Sequence, residues 1–260
     1  MQRVAVITGA SGGIGAAIAS ELGRRGDSLV LAARTADALE RVAATISSPT
    51  RVVTADVTRR ADVERLRDQS IATFGRVDVW INNAGKGILR PVLELTDEDL
   101  DEMIDVNVKS ALYGMQAIVP HFMQRGRGHV INISSFLARV PIASPRSAYS
   151  AAKAALNSLT ANLRVDLQRA HPDIHVSVVM PGLVTTDFAA HARGSTGPVP
   201  PGAIGSPMQP QTAAEVATVV ADLIDRPVPE IYTNPASSAL ATRYFEDVAR
   251  FEREGQSRSR

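Results

Sequence analysis

Residues 4–15 read VAVITGASGGIG, an apolar run that passes directly into a glycine cluster. A short, continuous Val/Ile run is typical of a strand that is covered on both faces. The glycines permit a tight turn, and a helix beginning behind them would offer unsatisfied N–H groups and its positive dipole end to an anion. By itself, such a cluster equally suits a structural turn that needs positive φ, so the surrounding pattern has to decide.

The rest of the chain repeats this strand–turn–helix unit. Strands are predicted at residues 3–8, 28–33, 51–55, 77–82, 129–134, 175–180 and 230–232, and helices at 14–25, 36–46, 60–74, 97–124, 148–170 and 213–225. This alternation predicts an α/β fold, a Rossmann-type doubly wound parallel seven-stranded sheet with helices on both faces. The glycine cluster then follows the first strand, as a dinucleotide site requires.

Length and composition narrow the class of protein. The 260 residues suit one domain, predicted at residues 1–235, with a tail at 236–260 whose end, from Gly255, is expected to be disordered. The 28 basic and 27 acidic side chains nearly cancel, so no field favours nucleic acid. The apolar runs are too short for a bilayer, no leader is recognised, and cysteine is absent. We therefore expect a cytoplasmic protein that binds neither nucleic acid nor membrane.

One segment breaks the alternation. Residues 191–210 are dense in glycine and proline and cannot form a regular helix or ladder. A plain surface loop and a mobile lid over a substrate both fit. Long loops in compact domains are often functional, which favours a lid at about residues 187–211.

The glycine spacing TGxxxGIG resembles the signature of the short-chain dehydrogenase/reductase family. The likeness runs through Pro235 and includes an NNAG stretch at residues 82–85 and a YxxxK pair at residues 149–153. In that family these segments hold a nicotinamide dinucleotide. The resemblance implies cofactor contacts from Gly9, Ser11, Gly13, Ile14, Gly15, Asp56, Val57, Asn83, Ala84, Gly85, Tyr149, Lys153, Pro181, Gly182, Val184 and Thr186.

The residue after the second predicted strand bears on which dinucleotide is bound. An NAD enzyme would place a carboxylate there for the ribose 2′-hydroxyl, whereas this chain has Arg34 and no carboxylate before Asp37. A guanidinium matches a 2′-phosphate, which favours NADP(H) over NAD(H). One departure from the family pattern is that the glycine turn carries Ser11 and Gly12 where many NADP members have a basic residue.

Tyr149 and Lys153 lie four residues apart near the start of a predicted helix, so their side chains share a face. The resemblance implies that Tyr149 is the acid/base and that Lys153 binds the nicotinamide ribose. A nearby ammonium favours a phenolate, so Lys153 is expected to lower the pKa of Tyr149. Asn107, inside the predicted helix 97–124, matches the family asparagine that kinks this helix and holds a water leading to the lysine.

A serine hydroxyl for the substrate oxygen is the remaining catalytic element that the resemblance implies. The family serine usually precedes the tyrosine by thirteen residues, which here is Phe136. The stretch Asn132-Ile133-Ser134-Ser135 matches the family's NISS, in which the second serine is catalytic. Ser135 is therefore the preferred candidate, with one extra residue in the following loop, and Ser134 is the alternative.

The favoured function is an NADP(H)-dependent oxidoreductase acting on a ketone/secondary alcohol pair. A β-ketoacyl-thioester reductase, a family epimerase or dehydratase, and a catalytically silent NADP(H) sensor are the alternatives. The family also implies a homodimer or homotetramer built on helices 97–124 and 148–170. No histidine has metal-site spacing, and Asp99 is expected in a solvated helix start. An apolar substrate pocket is predicted from residues 86–89, 136–142, 183 and 188–192.

Overall fold

The computed structural model describes residues 2–194 and 209–257. Its strands are β1 Val4–Thr8, β2 Ser28–Ala33, β3 Thr50–Thr54, β4 Val79–Asn82, β5 Gly128–Ile133, β6 Ile174–Met180, β7 Val184–Thr185, β8 Gln211–Thr212 and β9 Glu230–Tyr232. Its helices are α1 Gly13–Arg24, α2 Ala36–Ala43, α3 Arg60–Phe74, α4 Asp97–Ile104, α5 Ser110–Arg125, α6 Ser147–Gln168, α7 Ala213–Asp225, α8 Ala236–Glu246 and α9 Val248–Ser257.

Seven of these strands form one sheet in the order β3-β2-β1-β4-β5-β6-β9, and every neighbouring pair is parallel. The prediction of a doubly wound parallel sheet is confirmed. The strand order reverses between β1 and β4, and in such sheets ligands bind in the crevice beyond the carboxyl ends at this point. The glycine cluster follows β1, so it lies at that crevice.

Both faces of the sheet are covered. On one face, Ile18 and Leu22 of α1 and Val220 of α7 join the inward side chains of the central strands in a core cluster. On the other face, α3, α5 and α6 cover a cluster that contains the buried Trp80 and Phe122. Burial of the central strands on both faces accounts for their continuous Val/Ile runs.

The predicted helix 97–124 is divided by a π-helical turn at Asp105–Lys109. Asn107 lies in this turn, and its Nδ2 donates to the carbonyl of Met103 at 3.1 Å and to that of Lys86 at 2.9 Å. The side chain thus binds backbone carbonyls of its own helix and of the segment after β4. A break at Asn107 agrees with the kink that the family resemblance implies.

Other predicted boundaries shift by a few residues. β3 begins and ends one residue early, β4 begins at Val79 rather than at residue 77, and α2 ends at Ala43. In the tail, Ala241 of α8 packs with Phe136 and Val140. α9 stays helical to Ser257, inside the segment expected to be disordered.

Most of the predicted lid, residues 195–208, lies outside the described residues, as do residues 258–260. Among the residues that are described, no helix is long and apolar enough to cross a membrane. The same part of the chain holds no cluster of three His, Asp or Glu side chains suited to a metal ion.

Candidate active site

The glycine turn after β1 is closely packed by the segment that follows β4. Gly9 has φ +67°, a conformation that favours glycine. A Cβ on Gly15 would overlap the carbonyl oxygen of Gly9 and lie 2.5 Å from Nδ2 of Asn83. That Nδ2 donates to the carbonyls of Thr8 at 2.9 Å and Gly9 at 3.2 Å. The side chain of Asn83 therefore holds the glycine turn in place. The backbone of Asn83, Ala84 and Gly85 lies at the edge of the crevice.

The amino end of α1 is open. The helix is preceded by Gly12, has no side-chain capping hydrogen bond and has no acidic residue in its first turn. Ser11 and Gly13 are exposed, while Ile14 is partly buried against the core. N–H groups without capping side chains, together with the helix dipole, suit a diphosphate.

The segment after β6 reaches the same crevice. A Cβ on Gly13 would lie 3.7 Å from Cγ2 of Thr186, so Thr186 stands across the glycine turn. Pro181 accepts a hydrogen bond from the amide of Phe136 at 2.8 Å, which fixes this segment beside the end of β5. Gly182 and Val184 continue it, and β7 pairs with β8.

The far side of the crevice carries the predicted adenosine contacts. Arg34 follows β2 and is exposed. Asp37 lies in the first turn of α2, exposed and on the helix rather than at the strand end. Oδ1 of Asp56 accepts from the amide and the hydroxyl of Thr58, at 3.0 and 2.7 Å, so this carboxylate shapes its own turn. Val57 is partly buried against the core.

Asn107, Gly85 and Lys153 converge. A Cβ on Gly85 would lie 2.9 Å from Oδ1 of Asn107 and 3.4 Å from Nζ of Lys153. Because Gly85 lacks a side chain, these two polar groups face a common space beside the backbone after β4. The arrangement can relay a proton if a water stands between them.

Lys153 and Tyr149 are both buried. Nζ of Lys153 donates to the carbonyl of Ile133 at 2.8 Å and lies 5.8 Å from the centre of the Tyr149 ring. Burial lowers the pKa of Lys153 to about 7. Burial raises the pKa of Tyr149, although the hydrogen bond with Ser135 and the charge of Arg146 oppose this rise. The expected lowering of the Tyr149 pKa by Lys153 is therefore wrong, because desolvation outweighs the effects of Ser135 and of the one cation that acts on the phenol, Arg146.

The two serines at the end of β5 have different surroundings. The side chain of Ser135 lies close enough to Tyr149 to lower the pKa of the phenol, and its Oγ accepts from the amide of Leu137 at 3.2 Å. Ser134 points to α6, where its Oγ donates to the carbonyl of Lys153 at 3.3 Å. The structure thus brings Ser135, and not Ser134, together with the tyrosine.

The side chains beside Tyr149 are only partly those predicted to line a substrate pocket. The ring of Phe188 lies 5.6 Å from that of Tyr149, in agreement with the prediction that residues 188–192 line the substrate pocket. Phe136 and Val140 are instead buried in a core cluster under α8, so they do not line the pocket. Arg139 points away from it and bonds Glu230 at 2.6 Å.

The sequence did not indicate the burial of two charged residues near the site. Asp99 lies in the first turn of α4 as expected, but it has no exposed surface and pairs with Arg90 and Arg193, so the prediction that it is solvated is wrong. Arg146, three residues before Tyr149, is 4% exposed and close enough to influence the pKa of Tyr149. The only available signal for Arg146 was its place one helical turn before the tyrosine.

Comparison with known proteins gives consistent matches. A family model described as short chain dehydrogenase matches residues 3–196. An uncharacterised oxidoreductase of Staphylococcus epidermidis is 36% identical over 185 residues, 71% of this chain and 79% of the relative. A short-chain dehydrogenase/reductase from Burkholderia phymatum, in complex with NAD, is 29% identical with a TM-score of 0.84 over 95% of this chain and 94% of its own. An alcohol dehydrogenase from the archaeon Thermococcus sibiricus, complexed with 5-hydroxy-NADP, is 29% identical with a TM-score of 0.77 over 89% and 96%.

Proposed function

The chain belongs to the short-chain dehydrogenase family, and from that premise we propose that it is an NADP(H)-dependent oxidoreductase interconverting a ketone and a secondary alcohol. The observation that carries the proposal is that the buried Tyr149 has Ser135 close enough to lower its pKa, with Lys153 buried one helical turn further on. These three polar groups meet beside the crevice where the strand order reverses. A regulator that only senses a nucleotide has no need of this arrangement.

The residues present fit a dinucleotide. The open amino end of α1 and the glycine turn would hold the diphosphate, because no side chain fills the space that it would occupy. Lys153 and the backbone near Asn83 would hold the nicotinamide ribose, and Thr186 the carboxamide. When bound, the nicotinamide supplies or accepts the hydride.

Tyr149 provides the proton in the direction of ketone reduction. Because burial raises its pKa, the phenol is protonated at neutral pH in the cofactor-free protein and can donate to the substrate oxygen. The hydroxyl of Ser135 positions that oxygen and stabilises its developing negative charge. Burial lowers the pKa of Lys153 to about 7, so it can accept or release a proton near neutral pH, and a water between it and Oδ1 of Asn107 would return the proton to it.

Arg34 supports the choice of NADP(H). Its guanidinium is exposed at the end of β2, where a 2′-phosphate would be recognised. Asp37, the next carboxylate along the chain, lies in the first turn of α2 and not at the end of β2. The structural neighbours include both an NAD and a 5-hydroxy-NADP complex, so the choice rests on Arg34.

We also propose that the protein works as a homodimer or homotetramer in the cytoplasm. The two helices predicted to pair between subunits expose fewer apolar side chains than their sequences suggest. Met115, Ile118 and Leu156, for example, are buried within the chain. The outer face of α6 nevertheless exposes Leu159 and Val165, at 36% and 68%. The absence of cysteine fits a reducing compartment.

Tyr149→Phe tests the oxidoreductase proposal. The change removes the proton donor and keeps the ring, so NADPH-dependent reduction of a ketone panel should fall about 10²–10⁴-fold. NADPH affinity, measured by fluorescence titration, should hardly change because Lys153 keeps its ribose contact. Turnover undiminished in Tyr149→Phe, or no turnover of any ketone or alcohol by the wild type, would contradict the proposal.

A further inference from the structure

The segments that adjoin Arg146 and Gly87 carry a network of ion pairs. Asp99 pairs with Arg90 and Arg193, and Glu102 pairs with Lys86 at 2.5 Å and with Arg193 at 2.8 Å. Each of these three cations therefore has a carboxylate partner. Their charges are largely compensated within the protein.

Arg146 differs from them. It is 4% exposed, and its Nη1 has no hydrogen-bond partner among the residues that the structure describes. Burial lowers its pKa, and the group that opposes this is the phenol of Tyr149 rather than a carboxylate. Residues 195–208, which lie outside the described part, contain neither Asp nor Glu and offer no side-chain counter-ion.

The guanidinium of Arg146 lies between the backbone of Gly87 and the ring of Phe188. A Cβ on Gly87 would collide with Nη1 of Arg146 and lie 2.9 Å from the ring of Phe188 and 3.4 Å from Cβ of Ala192. Cζ of Arg146 lies 5.9 Å from the centre of the Phe188 ring. The ring of Phe188 in turn stands against that of Tyr149, so the guanidinium and the phenol adjoin one apolar wall.

A buried guanidinium without a partner is costly, because it loses hydration and gains no compensating charge. An arginine stays protonated, so its charge is not relieved by titration. An anion bound next to the guanidinium would supply the missing partner, and a carboxylate matches the fork of the guanidinium with two hydrogen bonds.

We propose that Arg146 binds a carboxylate of the substrate, so that the enzyme acts on oxo acids and hydroxy acids in preference to neutral ketones and alcohols. The inference rests on the proposed function and specifies its substrate class. Arg146 is then a specificity-determining residue that touches the substrate away from the reacting carbon.

The test compares 2-, 3- and 4-oxo acids with their methyl esters, using NADPH and measuring kcat/KM in the wild type and in Arg146→Gln. A charge-assisted contact is worth about 10- to 150-fold. The wild type should prefer at least one acid over its ester by that order, and Arg146→Gln should lose this preference because the acid loses far more kcat/KM than the ester. Arg24→Gln, which removes an exposed guanidinium already paired with Glu21, is the matched control and should keep the preference.

A second measurement does not depend on turnover. Succinate is titrated into the NADP⁺-bound wild type and Arg146→Gln by calorimetry, and unfolding temperatures are recorded for both. Succinate binding should require Arg146, and the variant should unfold no earlier than the wild type, since it loses an uncompensated charge. Equal losses for acid and ester, or no acid preference in an active wild type, would overturn the inference. Arg146-dependent succinate binding without turnover of any substrate would instead refute the oxidoreductase proposal alone.

Discussion

Ser134 and Ser135 offer a test in which the two variants differ by one position. Ser135→Ala removes a hydroxyl that lies beside Tyr149, lowers the pKa of its phenol and is placed to stabilise a substrate oxygen. Loss of one such donor costs about 10²–10³ in kcat, or roughly 2.7–4 kcal/mol of transition-state stabilisation. Ser134→Ala removes a single 3.3 Å hydrogen bond to the backbone carbonyl of Lys153, worth about 0.5–1.5 kcal/mol of folding stability.

The assay is steady-state ketone reduction by both variants with saturating NADPH, accompanied by urea unfolding of the cofactor-free proteins. Ser135→Ala should lose turnover, and the pKa of Tyr149 should rise further because the hydroxyl that lowers it is gone. In the pH profile of alcohol oxidation, the limb that reports Tyr149 should therefore move to higher pH. Ser134→Ala should retain kcat and lose only stability. A larger loss of kcat at Ser134 than at Ser135 would refute this reasoning.

Three other predictions follow from the same structure. Arg34→Ala should weaken NADPH binding about 10- to 150-fold, the worth of one charge-assisted contact, and leave NADH nearly unchanged. Equal binding of NADH and NADPH by the wild type, measured by fluorescence titration, would show that Arg34 does not select the cofactor. In the cofactor-free protein, the lowered pKa of Lys153 means that the unfolded chain binds one more proton between pH 7 and about 10.4. The free energy of unfolding should rise with pH across that window by up to ~1.4 kcal/mol per unit, and Lys153→Met should abolish this slope in urea titrations; an unchanged slope would mean that other groups cause it. Sedimentation at micromolar concentration should show a dimer or tetramer, and Val165→Glu on the exposed face of α6 should shift it toward monomer; a monomeric wild type would contradict the assembly proposal.

Much of the fold and part of the site could be predicted because the determining interactions are local. The glycine turn depends on residues within one strand–helix unit, and the shared face of Tyr149 and Lys153 depends only on helical spacing. The order of strands and helices follows from hydrophobic periodicity, and the parallel sheet from their alternation. These features required no knowledge of distant contacts.

The burial of side chains and their pairing with distant residues could not be predicted from local sequence. The sequence around Asp99 predicts an exposed helix start, yet its partner Arg193 lies 94 residues away and covers it. Phe136 and Val140 were predicted to line the pocket, but they pack against α8, which belongs to the tail of the chain. Even the break at Asn107 involves the carbonyl of Lys86, a contact made by the return of a separate segment.

The pKa values of the site residues likewise depend on tertiary contacts. From sequence, Lys153 is an ammonium that lowers the pKa of Tyr149, whereas in the structure desolvation lowers the pKa of the lysine and raises that of the tyrosine. The sequence by itself determined which groups stand near one another along a helix. Tertiary packing decided how much water each group loses and whether an opposite charge replaces it. A pKa depends on the free energy of the charged form, and that free energy is set by the surroundings of the side chain rather than by its neighbours in sequence.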